Sequence, residues 1–343
     1  CIAMDFRPWV EKWLPAVVQP LGLSEAGKLI VKPLVAQRRA EALFRPTGRA
    51  APSYQSVASL LHPERSPVPF GHREDDIQML EEWCHDDAPG WVAWKLVTGE
   101  TGRGKTRLLM RLVEVLNEMP DRPWRTGFLD MGALRSDPEA LLCFYHLPGD
   151  LLFVVDYAER FEAEVHAILK AALALADAGA ARRIRVVLIS RRESELWQNV
   201  GESDLAIGDF MAGGGFTRHE PPPLGREASA RELIFDHAYA AYEDHFGGKR
   251  PLIQRPDLNR PEFEEAILIH MAALSLHQGG IAADDVSEET LLEWVLTREK
   301  RHWREAIDNS DRLSSTLTRA PIAQAAACLT LVSLGAGIRD REQ

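Results

Sequence analysis

The chain has 343 residues, 45% hydrophobic and 27% charged; that is enough apolar material for a large core and excludes a disordered or low-complexity protein. A formal net charge of −11 excludes a general nucleic-acid coat protein and leaves at most a local basic patch, such as Arg182, Arg183, Arg185, Arg191 and Arg192. The cysteines Cys1, Cys84, Cys143 and Cys328 form no C-x-x-C pair, so neither a zinc site nor a disulfide framework is indicated and a reducing cytoplasm is expected.

Residues 1 to about 48 carry prolines at 8, 15, 20 and 33 and read as short helices broken by turns, such as Leu34 to Phe44. Because the chain starts with Cys1 and not methionine, it is expected to be a piece of something longer. A proline-rich joint, HPERSPVPFGHRE, leads to a helical stretch from Asp75 to His85. From there strand and helix alternate. Short apolar or β-branched runs predict strands at Trp91 to Val97, Arg125 to Leu129, Leu151 to Val155 and Arg185 to Ile189. Helices are predicted from Thr106 to Met119, after the Asp137-Pro138 start signal, and from Phe161 to Ala178. This alternation predicts an α/β fold with a parallel three-layer sheet.

After MAGGGFTRHEPPPLG the strand signal disappears, and AGGGF reads as a flexible linker. Helices are predicted from Glu227 to His245, Pro261 to His277, Ser287 to Asp308 and Pro321 to Leu334. The uncharged run Ala320 to Ile338 is rich in Ala, Gly, Ser, Thr and Gln, so it reads as a buried helix and its exit turn, not a membrane span.

The residues Gly99, Glu100, Thr101, Gly102, Arg103, Gly104, Lys105 and Thr106 match G-x-x-x-x-G-K-[ST]. In such a loop glycines let backbone N–H groups turn inward around phosphate oxygens. The lysine brings a mobile positive charge to the β- and γ-phosphates, and the threonine hydroxyl takes a place on Mg²⁺. The strand before it and the amphipathic helix after it are the context that separates a phosphate cradle from a chance glycine loop. Arg107 follows within the first helical turn.

LLFVVDYAER places Asp156 at the C-terminal end of a buried strand, where it would hold magnesium directly or through water. Glu159 reads either as a general base orienting water or as a helix-start glutamate stabilised by the dipole. RIRVVLISRR ends a strand in Ser190 and Arg191; Arg191 is either a γ-phosphate sensor or a surface arginine. No lysine is followed two residues later by aspartate, so an N-K-x-D guanine reader is absent.

In this order the motifs resemble the STAND class of signalling ATPases, relatives of NB-ARC and NACHT proteins, over about Val68 to Gly337. The likeness is greatest to the bacterial subgroup that joins an effector to this ATPase and a C-terminal repeat sensor. VPFGHRED resembles the V-P-F-x-G-R-E lead-in, which implies that Phe70 and Arg73 lie near adenine and ribose; His72 stands where glycine is usual. LLFVVDYAER resembles L-V-V-D-Y-A-E, and EPPPLGREASARELI resembles the turn opening the helical lid, which implies a proline, Pro222 or a neighbour, on adenine. His270 or His302 is a candidate for the phosphate-sensing histidine, with a core or surface histidine as the alternative.

The resemblance implies an N-terminal helical linker segment over 1–65, a P-loop NTPase core over 66–219, and a helical lid with a winged-helix-like region over 220–343. It also implies ATP or ADP with Mg²⁺ as cofactors and slow ATP hydrolysis. The expected partners are further copies of the chain, in an oligomer formed on activation, together with effector and repeat-sensor domains outside this chain. The role it suggests is a switch in bacterial antiviral defence. Alternatives are the ATPase module of a transcriptional regulator and a nucleotide-binding scaffold without turnover.

Overall fold

The computed structural model describes residues 35–45, 56–87, 91–119, 123–177, 182–191, 200–202, 204–248 and 254–308. Five parallel strands form one sheet: β1 (Val92–Val97), β2 (Trp124–Phe128), β3 (Asp150–Val155), β4 (Ile184–Ile189) and β5 (Phe216–His219). Their order across the sheet is β2-β3-β4-β1-β5, so β4 lies between the strand that enters the glycine loop and the strand that ends at Asp156.

β1, β3 and β4 are buried along nearly their whole length because both faces are covered. Trp94, Leu96, Phe153, Val155, Val186 and Leu188 point to one face, packed by α6 (Glu162–Asp177) and by the helix over 35–41, here α1. Ala93, Val97, Leu152, Val154, Val187 and Ile189 point to the other, packed by α3 (Glu74–His85) and α4 (Lys105–Asn117). Alternate residues thus serve opposite layers, as the pleat requires.

A third core belongs to the helices α8 (Ala228–Phe246), α9 (Ala266–His277) and α10 (Glu288–Asp308), with Phe235, Tyr242, Phe263, Leu274 and Leu291 at its centre. The short helix α2 (Val57–Leu61) also packs here, and its Ala58 amide donates to Glu299 Oε1 at 2.9 Å. Residues of the stretch expected as one segment, 1–65, therefore serve two cores. Residues 1–34 and 46–55 lie outside those described.

Two readings change. The region after the third glycine of AGGGF is not a linker: the glycines sit in a π-helical turn, Met211–Gly215, and Phe216–His219 pairs in parallel with β1 as the sheet's fifth strand. The helix after Asp137 is a 3₁₀ helix, Pro138–His146; the Asp137 carboxylate, instead of capping it, takes the Arg39 guanidinium at 2.5 and 2.7 Å. α5 (Met131–Ser136) precedes this 3₁₀ helix and α7 (Leu205–Phe210) precedes the π-helical turn, each capped by an aspartate carboxylate.

The predicted basic patch is largely internal. Arg185 is fully buried and donates to the carbonyls of Trp83, Asp86 and Trp91, while Arg182 donates to those of Phe144 and Leu147. Arg183 pairs with Asp87 and Asp150. These cations anchor the start of the central strand β4 to the neighbouring segments, and Arg192 lies outside the described residues. The expected helix from Pro321 and any wing after residue 308 also lie outside them. Among the described residues no helix is long and apolar enough to cross a membrane.

Candidate functional site

The glycine loop leaves the C-terminal end of β1 and enters α4 at Lys105. Gly102 and Gly104 have φ of 92° and 80°, a region that only glycine occupies without strain. Gly104 is the residue before the first helical turn and supplies no side-chain cap, so the N–H groups of that turn stay open to an anion. Lys105 folds back over the loop, its ammonium donating to the carbonyls of Gly99 and Glu100, the latter at 2.9 Å. Burial lowers the Lys105 pKa to about 8, against the pull of Asp156.

β3 ends one strand away from β4 and brings Asp156 to the start of α4. Thr106 Oγ1 donates to Asp156 Oδ2 at 3.2 Å, and the Tyr157 amide donates to Oδ1 at 3.0 Å. Burial raises the pKa of the Asp156 carboxyl, opposed by Arg45, Thr106 and the Tyr157 amide. Threonine hydroxyl and aspartate carboxylate are hard oxygen donors at the start of one helix, a set that fits Mg²⁺. Among the described residues no cluster of three His, Cys, Asp or Glu could hold a metal. A two-donor site is what Mg²⁺ needs when phosphates and waters complete its shell.

A cavity of about 480 Å³ opens from this point, a size that takes a small cofactor. Its wall combines the polar residues Lys105, Thr106, Asp156, Glu159, Ser190 and Arg191 with the apolar residues Leu61, Val68, Phe70, Leu224, Ile234 and Ile267. Glu159 Oε2 is buried with no hydrogen-bond partner, so this carboxylate is not engaged as a structural contact there. The Arg191 guanidinium sits 5.7 Å from the Tyr157 ring centre. The sequence-predicted residues Thr101, Gly102, Gly104, Arg107, Phe70 and Arg73 also line the cavity. Arg107 donates to the Val68 carbonyl and so holds the lead-in segment down.

Other predicted residues have different positions. Gly99 and Glu100 meet Lys105 through their carbonyls and do not line the cavity. Arg103 turns away from it and bridges Glu220, at 2.7 Å, and Glu265 at the start of α9, at 3.4 Å. Pro222 is exposed and not on the cavity wall; Leu224, two residues on, is. The Pro222 carbonyl and the Arg103 carbonyl accept from Arg73 Nη2 at 2.9 and 2.7 Å, while Arg73 Nη1 meets Asp76 at 2.7 Å. Arg73 is thus a clip between the glycine loop and the chain after β5.

His72 has φ of 63°, which gives a physical reason for glycine being usual at that position in the lead-in pattern. Its ring stacks on His237 of α8 at 5.1 Å. His270 lines the cavity and burial drives its pKa down to about 3, so it is neutral; His302 is not on the wall.

Sequence reasoning missed Arg45, Tyr157, Arg160 and the lid residues Ile234, His237 and Ile267 as cavity walls. For the lid residues the only signal is helical periodicity, which marks a buried face without naming what it covers. Gly102 faces the start of α9: a Cβ there would stand 2.6 Å from Ile267 Cγ2.

No protein-family model matches the chain, and no curated protein does. Among solved structures it is similar to the Aeropyrum pernix ORC1 protein in complex with DNA, with 14% identity and a TM-score of 0.42 over 74% of this chain and 72% of that one. Domain III of the Thermotoga maritima replication initiation protein DnaA is similar at 16% identity and a TM-score of 0.36, over 78% of this chain and 94% of that one. A signal transduction ATPase with numerous domains (STAND) with a tetratricopeptide repeat sensor, PH0952 from Pyrococcus horikoshii, is similar at 13% identity and a TM-score of 0.33, over 78% of this chain and 39% of that one. The site stands on its own geometry: a glycine loop, a lysine and a threonine–aspartate pair at the carboxyl ends of a five-stranded parallel α/β sheet.

Proposed function

We propose that the chain binds ATP or ADP with Mg²⁺ in this cavity and hydrolyses ATP slowly as a molecular switch. The observation that carries the reading is the Thr106–Asp156 contact of 3.2 Å beside the buried Lys105, which joins a cation site to a phosphate loop. Thr106 and Asp156 would hold the ion, which lends charge to the phosphates; Lys105 and the open N–H groups of α4 bind the phosphate oxygens. Phe70 and Val68 supply apolar wall for the base.

Residues 66–219 act as the nucleotide core and 220–343 as a lid with a winged-helix-like region. Ile234, Leu224 and Ile267 wall the same cavity as the loop, so nucleotide would touch both units, and differential contact to the γ-phosphate would shift their relative population. Activation would then lead to self-association and control of an attached effector in bacterial antiviral defence; the support for this part is the STAND-like order of motifs. A cytoplasmic setting goes with it.

Hydrolysis assigns Glu159 the work of orienting water. Its unpartnered buried Oε2 favours that role, whereas Tyr157, in place of a second acid after Asp156, favours a scaffold without turnover. Phosphate release separates them: wild type should turn over, and Glu159→Gln should lose about 10²- to 10⁴-fold. No release by wild type would leave the scaffold.

A further inference from the structure

Tyr157 follows the strand-end carboxylate Asp156 with φ of 57°, in the left-handed region that bulky residues seldom enter. Such a conformation persists where the surroundings over-determine it. Here the half-buried side chain lines the cavity, and two guanidiniums stand against its ring: Arg160 at 5.0 Å and Arg191 at 5.7 Å from its centre. Arg160 comes from the 3₁₀ turn that follows, so its approach is local. Arg191 comes from the end of β4, the strand paired with β3, so its approach ties two strand ends together at the cavity.

The kind of contact matters. An acid at position 157 would pair with Arg191 through its N–H fork, whereas tyrosine takes one hydrogen bond at its hydroxyl and draws the planar cation to its ring, which leaves further N–H donors for phosphate oxygens. Two cations near one ring also repel each other, and an incoming anion relieves that repulsion.

We propose that Tyr157 is a positioning residue that holds Arg191 toward the γ-phosphate end of the cavity, so that the site distinguishes a nucleoside triphosphate from a diphosphate. This rests on the reading of the cavity as a nucleotide site.

The test is titration of the whole chain with ADP and with a slowly hydrolysed triphosphate analogue, each with Mg²⁺. Tyr157→Phe, which keeps the ring and removes the hydroxyl that Arg191 bonds, should keep part of the wild-type preference for triphosphate. Tyr157→Leu should lower triphosphate affinity about fivefold and leave ADP affinity unchanged. Tyr157→Gly accepts the left-handed conformation without steric cost and should give the same result, which keeps the test readable if the leucine variant fails to fold. In an Arg191→Ala background neither change should alter the ratio further. An unchanged ratio in the leucine and glycine variants, or an equal loss for both nucleotides, overturns the positioning role while the cavity still binds nucleotide. Failure of wild type to bind either nucleotide overturns the reading of the cavity, and the proposal with it.

Discussion

Replacing Gly102 by alanine tests how closely the lid seats on the phosphate loop. The new Cβ would stand 2.6 Å from Ile267 Cγ2 and 3.7 Å from Glu265 Cβ, at a φ of 92°. The first separation is well inside the ~3.5–4.0 Å at which carbon atoms rest, so Ile267 or the loop must move. Two costs add: about 1–2 kcal/mol for a side chain in the left-handed region, and about 1–3 kcal/mol for displacing a packed methyl. We expect Gly102→Ala to lose about 2–5 kcal/mol in urea unfolding, with faster hydrogen exchange in Ala266–His277 as α9 lifts. Adding Ile267→Ala should remove the overlap and not the backbone strain, giving a favourable coupling of about 1–3 kcal/mol in the double-mutant cycle. A variant that unfolds at the wild-type urea concentration, or a cycle with no coupling, would refute the seating of α9 on the loop.

Two further outcomes follow from the buried charges. Lys105 must be protonated to hold phosphate, and with its pKa lowered to about 8 nucleotide affinity should fall as pH rises past that value, approaching about tenfold per pH unit above about pH 9. The same shift means that the unfolded chain holds the proton more tightly between about 8 and 10.5, so Lys105's contribution to the stability of the nucleotide-free fold rises with pH across that window. For Asp156 the sign reverses: its carboxyl is raised above 3.8, the native chain keeps the proton longer than the unfolded one, and ionisation opposes folding as pH rises through the window. Asp156→Asn should therefore raise Tm without metal and abolish the Mg²⁺-dependent gain in Tm with nucleotide; a lower metal-free Tm would contradict this.

The first four strands were legible because each is a short apolar or β-branched run, and the loop because its residues are contiguous. β5 was not: Phe216–His219 follows three glycines and has two exposed residues, Thr217 and Arg218, between half-buried ends, so it carries no apolar run, and its evidence is its register against β1. The position of β4 between β1 and β3 has no sequence signature, although it is what sets Arg191 beside Tyr157. Pro222 shows the limit of a carried-over motif: the sequence pattern placed it at the nucleotide, but it is off the cavity wall, and its carbonyl accepts from Arg73, a wall residue that also bonds the Arg103 carbonyl and Asp76. The Arg182–Arg185 cluster is the converse case: charge at a strand start looked like surface until burial and carbonyl partners were known.

The central claim is that Lys105 and its loop form a phosphate site. Calorimetric titration of MgATP into wild type and Lys105→Ala tests it most directly. Wild type should bind saturably, and the variant should bind about 10- to 150-fold more weakly, the loss of one charge-assisted contact of about 1.5–3 kcal/mol. Equal affinity in the two proteins, with both folded by circular dichroism, would contradict it.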